Sequence, residues 1–156
     1  MIMRTVGNKE KILSIATGRG CWEFLLQMLF EAAGGDEPDI VASDITIPSE
    51  RFFYGTYVQM KASAAVLAHP EANVLLTSWS EGQGDDEETF ACEALELFRG
   101  RFVVSIGETD GCTGQVRLVL AGSATWKEVA RVEVPQWPDL HDDLKIYERV
   151  TDGDSA

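Results

Sequence analysis

The chain has 156 residues, 45% of them hydrophobic and 25% charged, which is enough for one domain with a buried core and too little for two. It has no apolar run of the roughly 18 residues that a membrane span needs and no secretion signal, so we expect a cytoplasmic protein without a membrane partner. A formal net charge of −13 argues against nucleic acid as a partner, because phosphate binding relies on lysine and arginine.

The first part of the sequence alternates between strand and helix patterns. A strand is predicted at 11–16, followed by a glycine-containing turn and by apolar residues at helical spacing over 21–33. A second strand is predicted at 39–44, and an aromatic-rich connection follows it. Residues 57–60 then indicate a short strand, and 61–70 a short helix that ends at Pro70.

The second part continues the alternation and ends differently. The patterns predict strands at 73–79 and 101–107, a helix at 88–98, a weaker helix reaching about Lys127, and final strands at 128–135 and 144–150. The link between the last two strands is too short for a crossover helix, so these strands are predicted to be antiparallel neighbours. The sequence thus predicts one α/β domain over 11–150, with a lead at 1–10 and a disordered tail at 151–156.

In this order the segments resemble the class I S-adenosylmethionine-dependent methyltransferases over roughly residues 11–150. The resemblance rests on "ATGRG" after the first strand, the acidic residue closing "IVASD", "SWSEG" after the fourth strand and the hairpin ending in "KIYERV". It implies a doubly wound, mostly parallel Rossmann-like sheet ending in an antiparallel β-hairpin. It also implies S-adenosylmethionine as cofactor, bound by Ala16, Thr17, Gly18, Gly20, Asp44, Ile45 and Met60.

The loop after the first strand indicates a nucleoside ligand on physical grounds as well. Gly18 and Gly20 let a ligand approach the backbone and accept N–H hydrogen bonds, and Asp44 at the tip of the adjacent strand offers a carboxylate to ribose hydroxyls. A nicotinamide dinucleotide needs a third small residue where Glu23 stands. A carboxylate there is expected to lie beside the phosphate, which favours a sulfonium cofactor over a dinucleotide.

Two departures from the family pattern bear on the same loop. Ser14 stands where the family usually has an acidic residue inside the first strand, and Ala16 stands where it has a glycine. The loop after the fourth strand also lacks the clamp that many members use for a planar amine. The candidates there are Ser78 and Glu81, which could hold or deprotonate an acceptor, and Trp79, which could stack on it.

Other residues with reactive side chains have weaker patterns. The three cysteines are widely spaced, with no C-x-x-C motif, and predict free thiols and no metal site. Cys112 and Glu108 follow the fifth strand and are expected at the same edge as the glycine loop. His141 and Asp142 form an acid–base pattern. Because we expect their connection at the opposite end of the sheet or along its rim, we predict a structural role for them.

Two functions remain open. The first is a methyltransferase acting on a small molecule or a basic protein. The alternative is a non-catalytic Rossmann-like module that acts through a partner protein. Because no cap segment precedes the first strand, the site is expected to be open, or closed by a partner or a second copy of the chain.

Overall fold

The computed structural model describes residues 10–79, 90–108, 114–136 and 138–151. These ranges contain seven strands and four helices. The strands are β1 Ile12–Ile15, β2 Ile40–Asp44, β3 Thr56–Gln59, β4 Val74–Ser78, β5 Phe102–Gly107, β6 Trp126–Glu133 and β7 Asp143–Arg149. The helices are α1 Cys21–Ala32, α2 Ala62–Ala68, α3 Phe90–Leu97 and α4 Gly114–Gly122.

The strands form one sheet in the order β3-β2-β1-β4-β5-β7-β6. The pairs among β1 to β5 are parallel, whereas β7 is antiparallel to both β5 and β6. The strand order reverses between β1 and β4, which makes this the topological switch point. The predicted doubly wound, mostly parallel sheet with an antiparallel terminal pair is therefore confirmed.

The core lies on both faces of the sheet, which explains why the inner strands read as continuous apolar runs. Leu13, Leu75 and Val103 pack with apolar side chains of α2, α3 and α4 on one face. The opposite face carries a second apolar cluster, to which α1 contributes Leu26. Alternate residues of each strand thus point to different helix layers.

The connection between β2 and β3 contains no helix, although the two strands are parallel. The aromatic segment takes over part of the packing that a crossover helix would supply. Phe53 is buried in the same cluster as Leu26, whereas its neighbours Phe52 and Tyr54 are exposed. The aromatic segment is therefore partly core and partly surface.

The weaker helix is shorter than predicted. It ends at Gly122, and β6 begins at Trp126, two residues before the predicted start of the strand. The turn between them is held by Ser123, whose hydroxyl accepts the Thr125 N–H at 3.0 Å. Trp126 is buried and stacks on Phe98 with 6.4 Å between ring centroids, so its apolar surface favours the strand over a longer helix.

A buried ion pair joins α4 to the antiparallel end of the sheet. The Arg117 guanidinium donates to the Asp143 carboxylate at 2.6 Å and to the Asp143 carbonyl at 2.7 Å. It also donates to the Ser105 carbonyl at 3.1 Å. All three residues are buried, so this arginine orients the helix against both β5 and β7.

Replacing Arg117→Met should lower the free energy of unfolding by about 3–5 kcal/mol, because the buried Asp143 carboxylate loses its buried cationic partner and its hydrogen bond at Oδ1. Urea denaturation measures the change. Arg131→Met is the matched control: Arg131 also pairs with Asp143 but its side chain is 65% exposed, so the loss should stay below about 1 kcal/mol. Equal losses of unfolding free energy in the two variants would contradict the role of Arg117 in orienting α4 against the sheet.

Candidate functional site

The carboxyl ends of β1, β2, β4 and β5 lie at one edge of the sheet, with the switch point between β1 and β4. Open α/β sheets bind ligands in the crevice at this position. Three residues other than glycine have positive φ angles near this edge: Ala16 at 52°, Trp79 at 50° and Asp139 at 65°. Such backbone strain concentrates at functional sites, so this edge is the candidate site.

Both backbone polar groups of Gly18 are hydrogen-bonded to side chains of neighbouring strands. Its N–H donates to Asp44 Oδ2 at 2.8 Å, and its carbonyl oxygen accepts a hydrogen bond from the Tyr57 hydroxyl. Asp44 Oδ1 accepts the Thr46 N–H at 3.1 Å. Because a carboxylate offers about four acceptor positions, Asp44 keeps capacity for ligand hydroxyls after these two bonds.

The two glycines of the loop have different roles. Gly18 has φ +56°, and a Cβ added there would meet nothing within 4 Å. Gly20 has φ +75°, and a Cβ added there would lie 2.6 Å from the Phe53 Cβ. Gly20 is therefore required for packing within the chain, whereas Gly18 leaves the outer side of the loop open to a ligand.

The amides of these glycines are not oriented as the sequence predicted. The Gly20 N–H donates to the Thr17 carbonyl at 3.0 Å, and the Gly18 N–H is bonded to Asp44. Both N–H groups are thus used inside the chain. The loop offers a ligand an open backbone surface and the Asp44 carboxylate, and its two glycine amides stabilise the loop itself.

Glu23 lies inside the fold and not beside a phosphate position, which corrects the expectation for this residue. It is 1% exposed in the first turn of α1, and its carboxylate accepts a hydrogen bond from the Ser14 hydroxyl. Thr17 continues the network by donating to Ser14 Oγ at 3.3 Å. Burial raises the pKa of Glu23, opposed by the Ser14 hydrogen bond.

The Glu23 carboxylate therefore contacts Ser14, which stands where the family pattern has an acidic residue. A serine in β1 is short enough to leave room for a longer side chain from the helix. The negative group is supplied by α1 while the strand supplies the hydroxyl that holds it. Sequence reasoning noted both residues separately but could not pair them, because they are nine positions apart and on different elements.

The remaining cofactor candidates flank Asp44. The Met60 N–H donates to the Asp44 carbonyl at 2.9 Å, which continues the line of β3 beside β2. Ile45 follows Asp44 directly and is 67% exposed. Met60 is also exposed, whereas Ala16 and the buried Thr17 form the start of the loop.

The catalytic candidates are only partly described. Ser78 ends β4 and is half-buried, and Trp79 follows it with 38% of its surface exposed. The Trp79 N–H donates to the Ile106 carbonyl at 3.2 Å, which holds the residue against β5. Both lie one strand away from the glycine loop. Glu81 and Cys112 lie outside the described residues.

Tyr57 is a site residue that the sequence analysis did not single out. It stands on β3 opposite Ala42 of β2 and reaches the Gly18 carbonyl. Burial, followed by the negative charges of Asp44 and Glu23, raises its pKa to about 12. The tyrosine therefore stays protonated and donates at neutral pH. In the sequence it stands at the end of the aromatic-rich segment and at the start of the predicted strand 57–60, and neither pattern indicates its contact with Gly18.

The connection between β6 and β7 lies at the candidate edge, which corrects the expectation of the opposite end or the rim. Asp143, at the start of β7, pairs with Gly107 at the end of β5. Since β7 runs antiparallel to β5, the residues that precede it must lie at the carboxyl edge of the parallel strands. His141 and Asp142 thus belong to the same edge as the glycine loop.

Across the parts of the chain that the structure describes, no group of three or more His, Cys, Asp or Glu residues is arranged to hold a metal ion. The same ranges contain no helix with the length and apolar character needed to cross a membrane.

Solved structures share this fold at low sequence identity. An rRNA methylase from Streptococcus thermophilus has a TM-score of 0.55 and 10% identity, over 92% of this chain and 89% of that one. A candidate tRNA (m1A22) methyltransferase from Streptococcus pneumoniae, in complex with S-adenosyl-L-methionine, has a TM-score of 0.62 and 10% identity, over 98% and 74%. A candidate class I S-adenosylmethionine-dependent methyltransferase from Listeria monocytogenes has a TM-score of 0.64 and 11% identity, over 97% and 56%.

The chain therefore has the fold of the class I S-adenosylmethionine-dependent methyltransferases, as the resemblance predicted. No model of a known protein family and no curated protein sequence matches it.

Gly20→Ala should destabilise the fold more than Gly18→Ala. Both substitutions place a Cβ in the left-handed region at a cost of about 1–2 kcal/mol, and the contact with Phe53 adds about 1–3 kcal/mol for Gly20 alone. Urea denaturation of the two variants checks the difference. If Gly18→Ala were the more harmful change, the roles assigned to the two glycines would be wrong.

Tyr57 should make the fold sensitive to alkaline pH. An unfolded tyrosine loses its proton near its ordinary pKa of about 10, whereas Tyr57 in the folded chain keeps it up to about pH 12. Its contribution to stability is therefore complete below about pH 10 and is lost as the pH rises to about 12. Unfolding free energies measured across this interval should fall less steeply in Tyr57→Phe. Tyr147 and Lys11, whose pKa values are also raised, contribute to the remaining slope; identical slopes in the two proteins would exclude Tyr57 as a contributor.

Proposed function

We propose that this chain is an S-adenosylmethionine-dependent methyltransferase whose cofactor binds in the crevice between β1 and β4. The observation that carries the proposal is the hydrogen bond between Gly18 N–H and the Asp44 carboxylate. It brings an open glycine surface together with a carboxylate able to accept ribose hydroxyls, at the carboxyl ends of β1 and β2 and beside the switch point. The class I methyltransferase fold of the chain supports the same assignment.

Each residue at the loop has a distinct role in this proposal. Asp44 accepts the ribose hydroxyls, and Ile45 and Met60 border the adenine. Gly18 allows the nucleoside to approach the backbone, while Gly20, Ala16 and Thr17 give the loop its shape. Glu23 is buried against Ser14 and takes no part in contacts with the cofactor.

Methyl transfer asks mainly for positioning. A nucleophile on the acceptor forms a bond to the methyl carbon while the carbon–sulfur bond breaks. The electron pair of the broken bond stays on sulfur. The protein must align the two reactants and exclude water. This positioning lowers the activation free energy without any covalent intermediate. Because Ser78 and Trp79 lie at the end of β4, they are the residues proposed to orient the acceptor. Glu81 is the proposed base for acceptors that must lose a proton.

The acceptor class follows from charge. A net charge of −13 favours a small molecule or a basic protein over a polyanion. Several of the structural neighbours are named as RNA methyltransferases, so RNA belongs among the acceptors to be tested. The residue types at the described edge, which include Asp44, Glu108 and Asp142, support the non-nucleic-acid classes. A cytoplasmic location is part of the same proposal.

A non-catalytic module is the second candidate, and one observation favours it. The N–H groups of Gly18 and Gly20 are already hydrogen-bonded within the chain, so the loop holds its shape without a ligand. Such a chain could keep the fold and act through a partner protein. Cofactor binding without turnover on any acceptor class would support this second function.

Asp44→Asn should weaken S-adenosylmethionine binding by about 1–3 kcal/mol, because charge-assisted hydrogen bonds to the ribose are lost. The amide oxygen of asparagine can still accept the Gly18 N–H, whereas the Thr46 N–H loses its acceptor. Isothermal titration calorimetry with S-adenosylmethionine and S-adenosylhomocysteine measures the affinity. Asp39→Asn is the matched control, because Asp39 is exposed just before β2, at the other end of the same strand.

Two results would contradict parts of this account. Failure of the wild-type chain to bind either ligand at millimolar concentration would remove the cofactor assignment. Equal affinity of wild type and Asp44→Asn would remove Asp44 as the ribose ligand. Release of S-adenosylhomocysteine in the presence of amines, basic peptides or RNA then decides whether the bound cofactor is used.

A further inference from the structure

The side chains of Ser14 and Thr17 form a hydroxyl row beneath the loop that follows β1. At one end of the row the Ser43 N–H donates to Thr17 Oγ1 at 3.2 Å. At the other end the Ser14 hydroxyl donates to the Glu23 carboxylate. All four residues are buried. The hydroxyl row therefore joins β2, the loop, β1 and α1 through polar contacts inside the fold.

Glu23 sets the direction of the hydrogen bonds in the row. Because Ser14 gives its single hydroxyl proton to Glu23, it can offer Thr17 only an acceptor. Thr17 in turn donates to Ser14, whose hydroxyl and carbonyl oxygens lie 3.3 and 3.2 Å from Thr17 Oγ1. The lone pairs of Thr17 Oγ1 are then left for the Ser43 N–H. Every donor points toward Glu23, and hydrogen bonds aligned in one direction strengthen each other.

The residue before Thr17 is held in a conformation that its own side chain disfavours. Ala16 has φ +52°, in the left-handed region, although it carries a Cβ. Such a conformation persists only where the surrounding structure fixes it. On one side of Ala16, Ile15 is paired in the sheet. On the other side Thr17 is fixed by the hydroxyl row and by its N–H, which donates to the Ser43 carbonyl at 3.2 Å.

Thr17 also connects the row to the rest of the loop. Its carbonyl oxygen accepts the N–H of the buried Gly20 at 3.0 Å. Gly20 directly precedes α1, whose first turn carries Glu23. The contacts thus close a ring from Glu23 through Ser14 and Thr17 to Gly20 and back into α1. A change at Glu23 should therefore reach the loop without any direct contact between them.

We propose that Glu23 is a positioning residue of the cofactor site, which acts through Ser14 and Thr17 to hold the loop after β1 in the conformation that receives the nucleoside. A loop that is already in this conformation binds its ligand more tightly, because no part of the binding free energy is used to select it. The effect on cofactor affinity rests on the proposed methyltransferase function, whereas the effect on the loop does not depend on it.

Two substitutions of Glu23 test its role as the terminal acceptor. Methionine has a similar length and suits a buried position, whereas glutamine keeps an oxygen that can accept the Ser14 proton. In the ligand-free chain, hydrogen exchange of the Gly20 amide should become about three- to tenfold faster in Glu23→Met, the size of one net hydrogen bond. In Glu23→Gln it should stay within about twofold of wild type. The Phe98 amide, which donates to the Ala94 carbonyl at 2.9 Å, is the distant control and should not change.

Three results of the exchange measurement would overturn the proposal. The first is unchanged exchange at Gly20 in Glu23→Met. The second is equal acceleration in Glu23→Gln, which would mean that the acceptor oxygen is not what matters. The third is equal acceleration at Gly20 and Phe98, which would make Glu23 a residue of general stability.

Thr17 provides a second pair of variants in which Glu23 is unchanged. Thr17→Val removes the hydroxyl at nearly constant shape, whereas Thr17→Ser keeps it. The dissociation constant of S-adenosylhomocysteine, measured by calorimetry, should rise about three- to tenfold in Thr17→Val and stay near that of wild type in Thr17→Ser.

Thr77→Val is the matched control for Thr17→Val. Thr77 is buried on the neighbouring strand β4, and its hydroxyl has no hydrogen-bond partner among the residues that the structure describes. Its replacement should therefore leave the dissociation constant unchanged. An equal rise in Thr77→Val, or no rise in Thr17→Val, would contradict the role of the hydroxyl row.

Ala16→Gly tests the link between the row and the backbone. Glycine needs no support at φ +52°, so Thr17→Val should accelerate Gly20 exchange by less than about twofold in the Ala16→Gly background. The same acceleration in both backgrounds would show that the row does not hold Ala16. Because exchange is measured without ligand, failure of wild type to bind S-adenosylhomocysteine would remove the proposed cofactor site and leave the result on the loop intact.

Discussion

Two hydrogen bonds to the backbone of Gly18 join the first three strands of the sheet at their carboxyl ends. Asp44 of β2 binds its N–H, and Tyr57 of β3 binds its carbonyl oxygen. The β2–β3 connection has no helix to fix these strands from the side. The loop that follows β1 is therefore the shared contact of β1, β2 and β3, and its shape sets where a nucleoside can be received.

Three buried carboxylates at the same edge differ in the partners that stabilise them. Asp143 is neutralised by two arginines, and Glu23 is held by the Ser14 hydroxyl. Asp142 has neither kind of partner for Oδ1. An edge that leaves negative charge incompletely paired is suited to cationic ligands, and the sulfonium of the proposed cofactor is of this kind.

The sequence predicted the architecture because its signals were local. Apolar runs bounded by glycine and proline placed the parallel strands, and the short link before β7 required an antiparallel pair. The contact between Gly18 and Asp44 could also be anticipated, because adjacent parallel strands end at the same edge. The early end of α4 at Gly122 was missed, since the burial of Trp126 depends on Phe98, which is distant in sequence.

The site was less predictable because its polar contacts join distant residues. Glu23 was placed beside a ligand by its motif position, yet its side chain turns inward to Ser14. The predicted position of His141 and Asp142, at the opposite end or the rim, was wrong, although strand direction decides it: a last strand antiparallel to β5 must be preceded by a connection at the functional edge. That step was available from the sequence, whereas the unpaired oxygen of Asp142 depends on three-dimensional packing.

The central claim is that Asp44 and the Gly18 loop together receive the nucleoside of S-adenosylmethionine. A crystal structure of the chain with S-adenosylhomocysteine tests it most directly. The account predicts ribose hydroxyls within hydrogen-bonding distance of the Asp44 carboxylate, with the bond from Gly18 N–H to Asp44 intact. A nucleoside bound elsewhere on the chain, or a loop that must break this bond to admit it, would contradict the account.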